Sequence, residues 1–98
     1  MTRHFSGELL RRLRNEVPFG PLLVSLRWPH KRRDGQLVFV CPRCGESQSD
    51  LNPQENLVRC FHCETNFNPI DFTIAARGCD FVDAVHYLSS FLEPKNPT

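Results

Sequence analysis

Two identical Cys-x-x-Cys pairs constrain the fold of this chain more than any other feature of its sequence. The first hook, Cys41-Pro-Arg-Cys44, and the second hook, Cys60-Phe-His-Cys63, are separated by 15 residues. Each hook is short enough to aim two sulfur atoms at one ion, and hooks at this separation are typical of a tetrahedral site with four thiolate ligands. We therefore predict that Cys41, Cys44, Cys60 and Cys63 bind one metal ion. Zn²⁺ is the ion that such an all-sulfur site favours.

The length of the chain makes the predicted metal important for folding. The 98 residues suit one small domain, which buries only about 60–65% of its unfolded surface. A structural zinc ion offsets so thin a core, because its apparent binding free energy of roughly 10–16 kcal/mol becomes folding free energy. We predict a single domain over 1–98, with helices and a basic turn in 1–36, a zinc ribbon in 37–67, helices in 68–93 and a tail in 94–98.

The use of cysteine and the polar start of the chain favour a reducing compartment. Four of the five cysteines stand in metal-ligand spacing, which is unlike a disulfide framework. Residues 1–20 lack the apolar run and the cleavage site of a secretory signal. No stretch approaches the roughly 18 apolar residues that a membrane span needs. We therefore expect a soluble cytoplasmic protein with no membrane partner.

Charge is unevenly distributed along a chain whose net charge is only +1. Residues 1–40 hold eight basic and three acidic groups, a net of +5, whereas residues 41–98 hold four basic and eight acidic groups, a net of −4. This asymmetry indicates an anionic partner for the first half of the chain. The alternative interpretation is that the short basic runs are solvated faces.

Capping and breaking residues predict two helices before the first hook. Ser6 can cap a first helix, which Pro18 closes. Pro21 opens a second short helix, and Pro29 stops it. Residues 31–35 combine three basic side chains with Asp-Gly, which predicts an exposed basic turn.

The middle of the chain predicts the strands that carry the hooks. The apolar, β-branched residues 37–40 form a strand that leads into the first hook, and residues 57–60 form a strand that leads into the second. A weaker strand is predicted over 49–51, followed by a turn over 52–56.

Two helices are predicted after the second hook. Asn68 caps the first and Gly78 ends it, while Asp80 caps the second and Pro94 terminates it. The second helix carries a core stripe at helical spacing: Phe81, Ala84, Val85, Leu88, Phe91 and Leu92. The predicted class is therefore α+β, a small zinc ribbon-type antiparallel β-sheet with flanking N- and C-terminal helices.

The order of these motifs resembles the N-terminal zinc-binding domain of bacterial and phage DNA primases. The first hook with Gly45-Glu46 is similar to the Cys-Pro-x-His-x-Glu of that family, and the second hook is similar to its Cys-Phe-Gly-Cys. Residues 70–72 and 81–88 resemble its Phe-x-Glu-Ala helix, and residues 8–26 resemble its two leading helices. The resemblance therefore extends over most of the chain.

Three departures mark the chain as a diverged, four-cysteine version of that pattern. Cys44 stands where the family usually has histidine. Residues 47–51 read Ser-Gln-Ser-Asp-Leu where the family has Lys-Thr-Pro-Ser-Phe. Glu64 and Phe67 stand in place of a glycine pair.

The resemblance implies a zinc-dependent nucleic-acid-binding module that holds single-stranded DNA template and assists primer synthesis in DNA replication. In that family the catalytic polymerase core is a separate and larger domain. We therefore expect this chain not to be an enzyme and to have no small-molecule substrate. The implied partners are single-stranded DNA and a helicase or polymerase subunit.

Binding of a single strand needs cationic groups for phosphates and exposed aromatic rings for stacking on bases. The candidates are Lys31, Arg32, Arg33, Arg43, Arg59 and Phe61. Arg43 and Arg59 could instead offset the charge of the thiolates, and Phe61 could pack over the metal site. Trp28 could be a stacking platform or an anchor for the second helix.

Two other classes of function compete with nucleic-acid binding. A zinc-stapled adaptor for a helicase or polymerase, without direct DNA binding, would suit the acidic second half of the chain, with Glu64, Asp71, Asp80 and Asp83. A redox role is the third class, since Cys-Pro-Arg-Cys-Gly resembles half of a rubredoxin iron site or a thiol oxidoreductase motif. The second hook lacks the matching Cys-Pro-x-Cys-Gly, which argues against a redox site.

Overall fold

The structure of the chain, a computed structural model, describes residues 5–46, 49–52 and 54–92. These residues form an α+β fold, as the sequence predicted, with helices at both ends and two small antiparallel sheets between them. In the part of the chain that is described, every helix is too short or too polar to serve as a membrane span. The elements in chain order are α1 (Gly7–Asn15), α2 (Phe19–Leu26), β1 (His30–Arg33), β2 (Gln36–Phe39), β3 (Ser49–Asn52), β4 (Leu57–Cys60), β5 (Thr65–Phe67), α3 (Pro69–Arg77) and α4 (Phe81–Ser89).

The two leading helices begin at capping residues. The Ser6 hydroxyl accepts a hydrogen bond of 3.0 Å from the Leu9 amide, which confirms the predicted cap of α1. The prediction that Pro21 opens α2 is wrong, because α2 begins two residues earlier, at Phe19. Pro18 is held in an extended conformation that starts the helix there, and the earlier start buries the Phe19 ring in the core.

The predicted basic turn over residues 31–35 is wrong. Lys31, Arg32 and Arg33 lie in strand β1, which pairs antiparallel with β2 so that His30 faces Phe39. The turn is confined to Asp34-Gly35, which both have positive φ, 52° and 81°, as a tight hairpin turn requires. Every side chain of β1 is exposed, so the strand has no apolar alternation by which the sequence could have revealed it.

The second sheet has the order β3-β4-β5. The predicted strands over 49–51 and 57–60 are confirmed. In β4, Val58 and Cys60 are buried on one face, while Leu57 and Arg59 lie on the other, half-buried face. Strand β5 was not predicted; it has only three residues and begins two residues after the second hook.

Side-chain caps begin both C-terminal helices, as predicted. The Asn68 side chain accepts a hydrogen bond of 2.8 Å from the Asp71 amide, and the Asp71 carboxylate accepts one from the Asn68 amide, which completes a capping box. The Asp80 carboxylate accepts a hydrogen bond of 2.8 Å from the Asp83 amide at the start of α4. Gly78 ends α3 with a positive φ of 64°.

The predicted core stripe at the end of the chain is confirmed in part: Ala84, Val85 and Leu88 are buried, and Phe91 and Leu92 are half-buried against the core. Phe81 is 43% exposed, because its ring packs edge-on against Phe5 at the chain start rather than in the core. The helix ends at Ser89, so the half-buried residues 91–92 follow it rather than belong to it. The predicted stop at Pro94 and the tail in 94–98 lie outside the described residues.

The buried Phe72 ring of α3 is the centre of the core. Four rings pack edge-on against it at centroid distances of 5.6–6.0 Å: Phe19, Trp28, Phe39 and Phe67. The Trp28 indole also donates a hydrogen bond of 2.7 Å to the Val40 carbonyl. Trp28 is therefore an anchor between α2 and the strand that leads into the first hook, as one of the two predicted roles expects.

A buried asparagine ties the helices to the second sheet. Asn56, in the turn between β3 and β4, has a positive φ of 54°. Its side-chain amide donates hydrogen bonds to the carbonyls of Arg14 and Val17, at 3.0 and 2.7 Å. The strand pair that carries the second hook is therefore fixed to the end of α1.

Candidate metal centre

The fold brings the sulfur atoms of Cys41, Cys44, Cys60 and Cys63 to within 4.8 Å of one another. Two of these separations are 3.5 Å, between Cys44 and Cys60, and 3.7 Å, between Cys41 and Cys63. A disulfide needs about 2.05 Å, and all five cysteines are free. Sulfurs at roughly 2.3 Å from a central Zn²⁺ would be about 3.8 Å apart in a regular tetrahedron. The four cysteines therefore fit a single metal ion.

The backbone of each hook turns so that its amides point at the first sulfur. The Cys41 sulfur accepts hydrogen bonds from the amides of Arg43 and Cys44, at 3.3 and 3.5 Å. In the second hook, the amides of His62 and Cys63 lower the pKa of the Cys60 thiol. Amide donors of this kind stabilise negative charge on sulfur, which is the form that binds a metal.

Each hook is followed by a residue with left-handed backbone. Gly45 has a φ of 81° and Glu64 a φ of 55°. After the first hook, the Gly45 amide bonds to the Cys41 carbonyl at 3.0 Å and the Cys41 amide bonds to the Glu46 carbonyl at 2.9 Å. Glycine adopts this conformation without strain, whereas glutamate does so at a cost.

The cysteine pKa values diverge within the cluster. Burial raises the pKa of Cys41. The Glu46 amide works to lower the pKa of Cys44, but burial and the neighbouring thiols raise it to about 12. Burial opposes ionisation of Cys60 as well, yet the amides of the second hook and the Cys44 thiol lower its pKa to about 6. A bound divalent cation would supply the charge that lets all four sulfurs ionise together.

Two hydroxyl groups adjoin the second hook. The Thr65 hydroxyl lies 3.4 Å from the Cys63 sulfur and donates to the Cys63 carbonyl at 3.2 Å. Ser49 stands opposite Cys60 in the β3–β4 register. Neither residue was singled out from the sequence, because β5 was not predicted and the strand register cannot be read from a single chain.

The half-buried Arg59 and the exposed Phe61 form a pair beside the second hook. The guanidinium carbon of Arg59 lies 5.7 Å from the centroid of the Phe61 ring, which is 56% exposed. The Arg59 side chain also donates a hydrogen bond of 3.2 Å to the side chain of Asn66 in β5. Asn66 is a further site residue that the sequence did not reveal.

Three neighbouring depressions between this pair and strand β1 share lining residues. The first, of about 560 Å³, is lined by Arg59, Phe61 and Leu51. The second, of about 260 Å³, shares Leu51 and reaches Arg32, and the third, of about 460 Å³, shares Arg32 and reaches Lys31. We call these three depressions together the basic groove; the cations Lys31, Arg32 and Arg59 line it, and so do the acidic Asp50 and Glu55.

The remaining candidates do not line the basic groove itself, although the depression that Arg43 lines shares Asn66 with the first depression. Arg33 is exposed at the end of β1 and is not among the residues that line it. Arg43 is exposed in the first hook and lines a different depression of about 550 Å³ together with Asp71. Four of the six predicted nucleic-acid contacts are therefore brought together.

Comparison with known proteins assigns the chain to no family. No family model matches its sequence, and no curated protein matches it significantly.

Proposed function

We propose that the protein is a zinc-dependent nucleic-acid-binding module that resembles the template-binding zinc domain of DNA primases. It binds single-stranded DNA and assists primer synthesis during DNA replication in the cytoplasm. In this proposal the chain contributes binding, and the chemistry of primer synthesis belongs to a partner polymerase subunit. The metal part of the proposal is supported by the four clustered sulfurs, and their all-thiolate chemistry favours Zn²⁺.

The role of the metal in this proposal is structural. Zn²⁺ bound by four sulfurs supplies a crosslink and leaves no open position for chemistry. The first hook follows β2 and the second follows β4, so the ligands join two parts of the chain that belong to different sheets. This connection holds Phe61, a residue of the second hook, in place relative to β1.

The observation that carries the DNA-binding proposal is the pair formed by the exposed Phe61 ring and the half-buried Arg59 side chain. An exposed ring can stack on a base, which is worth about 1–3 kcal/mol per base. The Arg59 guanidinium is oriented by Asn66 and the Phe61 ring rather than by a cysteine sulfur. This arrangement favours phosphate binding by Arg59 over the alternative that it only offsets thiolate charge.

The basic groove extends this contact along a strand. Lys31 and Arg32 lie exposed on β1, at the other end of the three depressions. Cationic groups spaced along a groove neutralise successive phosphates of a single strand. We therefore propose that one strand crosses from Phe61 over Leu51 to Lys31.

Fluorescence anisotropy with labelled oligothymidine tests this proposal on the metal-loaded protein. The double variant Arg32→Ala/Arg59→Ala should weaken binding at low salt by about tenfold or more. It should also reduce the slope of log affinity against log salt by roughly 1.4, since each phosphate contact contributes about 0.7 for a single strand.

The matched control is Arg11→Ala/Arg14→Ala, which removes the same charge from exposed positions on α1. The control should change affinity only slightly. Undetectable binding by the unaltered protein, or equal losses for the two double variants, would remove the DNA-binding proposal.

An adaptor for a helicase or polymerase is the second candidate. It is favoured by Asp50 and Glu55, which line the first depression of the basic groove beside Arg59 and would repel phosphate. Titration calorimetry with a purified helicase or polymerase subunit distinguishes the two. An adaptor would bind such a subunit tightly while the same preparation failed to bind oligothymidine.

A further inference from the structure

We propose that Ser49 is a positioning residue of the metal centre, whose buried hydroxyl donates a hydrogen bond to the Cys60 thiolate when the ion is bound. The inference depends on the metal site of the proposed function and is independent of DNA binding. It assigns to Ser49 a role that neither the hooks nor the primase resemblance indicates.

Ser49 is unusual because its hydroxyl is buried without a partner. The residue is only 5% exposed, and its oxygen finds no hydrogen-bond partner among the residues that the structure describes. Buried hydroxyl groups in folded proteins are nearly always hydrogen-bonded, so an unpaired one calls for an explanation such as a water, an ion or a functional role. The hydrogen-bond partner of the Ser49 hydroxyl must therefore be sought among the groups next to it.

The strand register places Ser49 beside a metal ligand. Ser49 of β3 pairs directly with Cys60 of β4. Directly opposed residues in an antiparallel pair lie on the same face, with Cβ atoms about 4.5–5.5 Å apart. Ser49 and Cys60 are both buried, whereas the next pair, Asp50 and Arg59, lies on the other face. The Ser49 hydroxyl is therefore directed to the face that carries the sulfurs.

A thiolate at Cys60 would accept the hydrogen bond that the Ser49 hydroxyl lacks. The amides of His62 and Cys63 stabilise negative charge on this sulfur from within the hook. A metal-bound thiolate is a stronger acceptor than a thiol, because the hydrogen bond is then charge-assisted. Rotation of the Ser49 side chain about its Cα–Cβ bond would bring the hydroxyl from the neighbouring strand toward this sulfur.

This hydrogen bond would hold the Cys60 sulfur of the second hook in position from the neighbouring strand β3. The Thr65 hydroxyl already lies 3.4 Å from the other sulfur of that hook, at Cys63, so a hydroxyl adjoins each of its two ligands. Residues that bond to metal ligands in this way usually alter metal affinity by about ten- to a hundredfold when they are removed.

Competition with a chromophoric chelator tests the inference on the full chain. Ser49→Ala should lower zinc affinity by about tenfold, and Ser49→Thr, which keeps a hydroxyl, should restore it. With Co²⁺ as the probe, Ser49→Ala should also shift the sulfur-to-cobalt charge-transfer band, because the sulfur loses a hydrogen bond. Thr73→Val is the matched control, since Thr73 carries the other buried hydroxyl without a partner among the described residues but lies in α3.

A direct readout on the unaltered protein covers the case in which Ser49→Ala fails to fold. With ¹¹³Cd bound, the Ser49 hydroxyl proton should be protected from exchange and correlated with the metal through the sulfur. A freely exchanging hydroxyl, or a Ser49→Ala variant that matches Thr73→Val in affinity and spectrum, would overturn the inference. Failure of the unaltered chain to bind any metal would instead reject the metal site itself.

Discussion

The two hooks reach the same geometry with different residues. In each, the first cysteine is buried, the second is half-buried, and a residue with positive φ follows. The first hook contains Pro-Arg and is followed by Gly45, whereas the second contains Phe-His and is followed by Glu64. The metal site therefore requires the turn and the sulfurs, and the intervening positions are free to take other roles.

The surroundings of the hooks also differ. The first hook leads from β2 into the segment before β3, while the second joins β4 to β5, which pair with each other. Hydroxyl groups of Ser49 and Thr65 adjoin the second hook. The second hook thus lies between two paired strands of one sheet, and it carries the exposed Phe61. We expect the first hook to serve ligation alone and the second to combine ligation with binding.

Removal of one buried ligand from either hook should have the largest effect. Cys41→Ser and Cys60→Ser should each lose the ion and unfold, because a structural zinc site contributes on the order of 10 kcal/mol and small domains are stable by only about 5–15 kcal/mol. Elemental analysis and far-ultraviolet circular dichroism would measure both losses. A variant that stayed folded without metal would show that its hook is dispensable, and the predicted equivalence of the hooks would be broken.

The first intervening position should separate the hooks by function. Phe61→Ala should weaken oligothymidine binding by about 1–3 kcal/mol, the usual contribution of a stacked base. Pro42→Ala, at the matching position of the first hook, should leave binding nearly unchanged. Anisotropy titrations of both metal-loaded variants test this difference. Equal effects would mean that Phe61 packs over the metal site rather than on a base.

Substitution of the residue after each hook should change stability the least, and the two substitutions should change it in opposite directions. Gly45→Ala should destabilise the metal-loaded protein by about 1 kcal/mol, because alanine is strained at positive φ. The added Cβ has open space around it, so no clash should add to this cost. Glu64→Gly should stabilise by about 0.5 kcal/mol, since relief of strain outweighs the added freedom of the unfolded chain.

Urea denaturation at a fixed excess of zinc would measure both changes. Matching signs for Gly45→Ala and Glu64→Gly would contradict the structural equivalence of these two positions. A Glu64→Gly variant with lower stability would indicate that the glutamate side chain makes a stabilising contact of its own.

Local chemistry made the hooks and the starts of the side-chain-capped helices α1, α3 and α4 predictable. Helix starts could be predicted at Ser6, Asn68 and Asp80, because these side chains accept hydrogen bonds from amides only three residues away. Strand β1 could not be predicted in the same way, because its exposed, charged residues are held by pairing with β2 rather than by burial. Phe81 was misplaced for a related reason, since helical spacing gives the face of a residue but not what covers that face.

The clustering of the four cysteines, the side-chain caps and the α+β class follow from the sequence alone, because each depends on residues close along the chain or on the spacing of the two hooks. Which distant residues meet depends on the folded chain as a whole. The basic groove exists because Leu51 and Arg32 are each shared by neighbouring depressions, and Ser49 faces Cys60 because of strand register. Register and packing are set by the sum of many weak contacts across the core, and no short segment of sequence contains that sum.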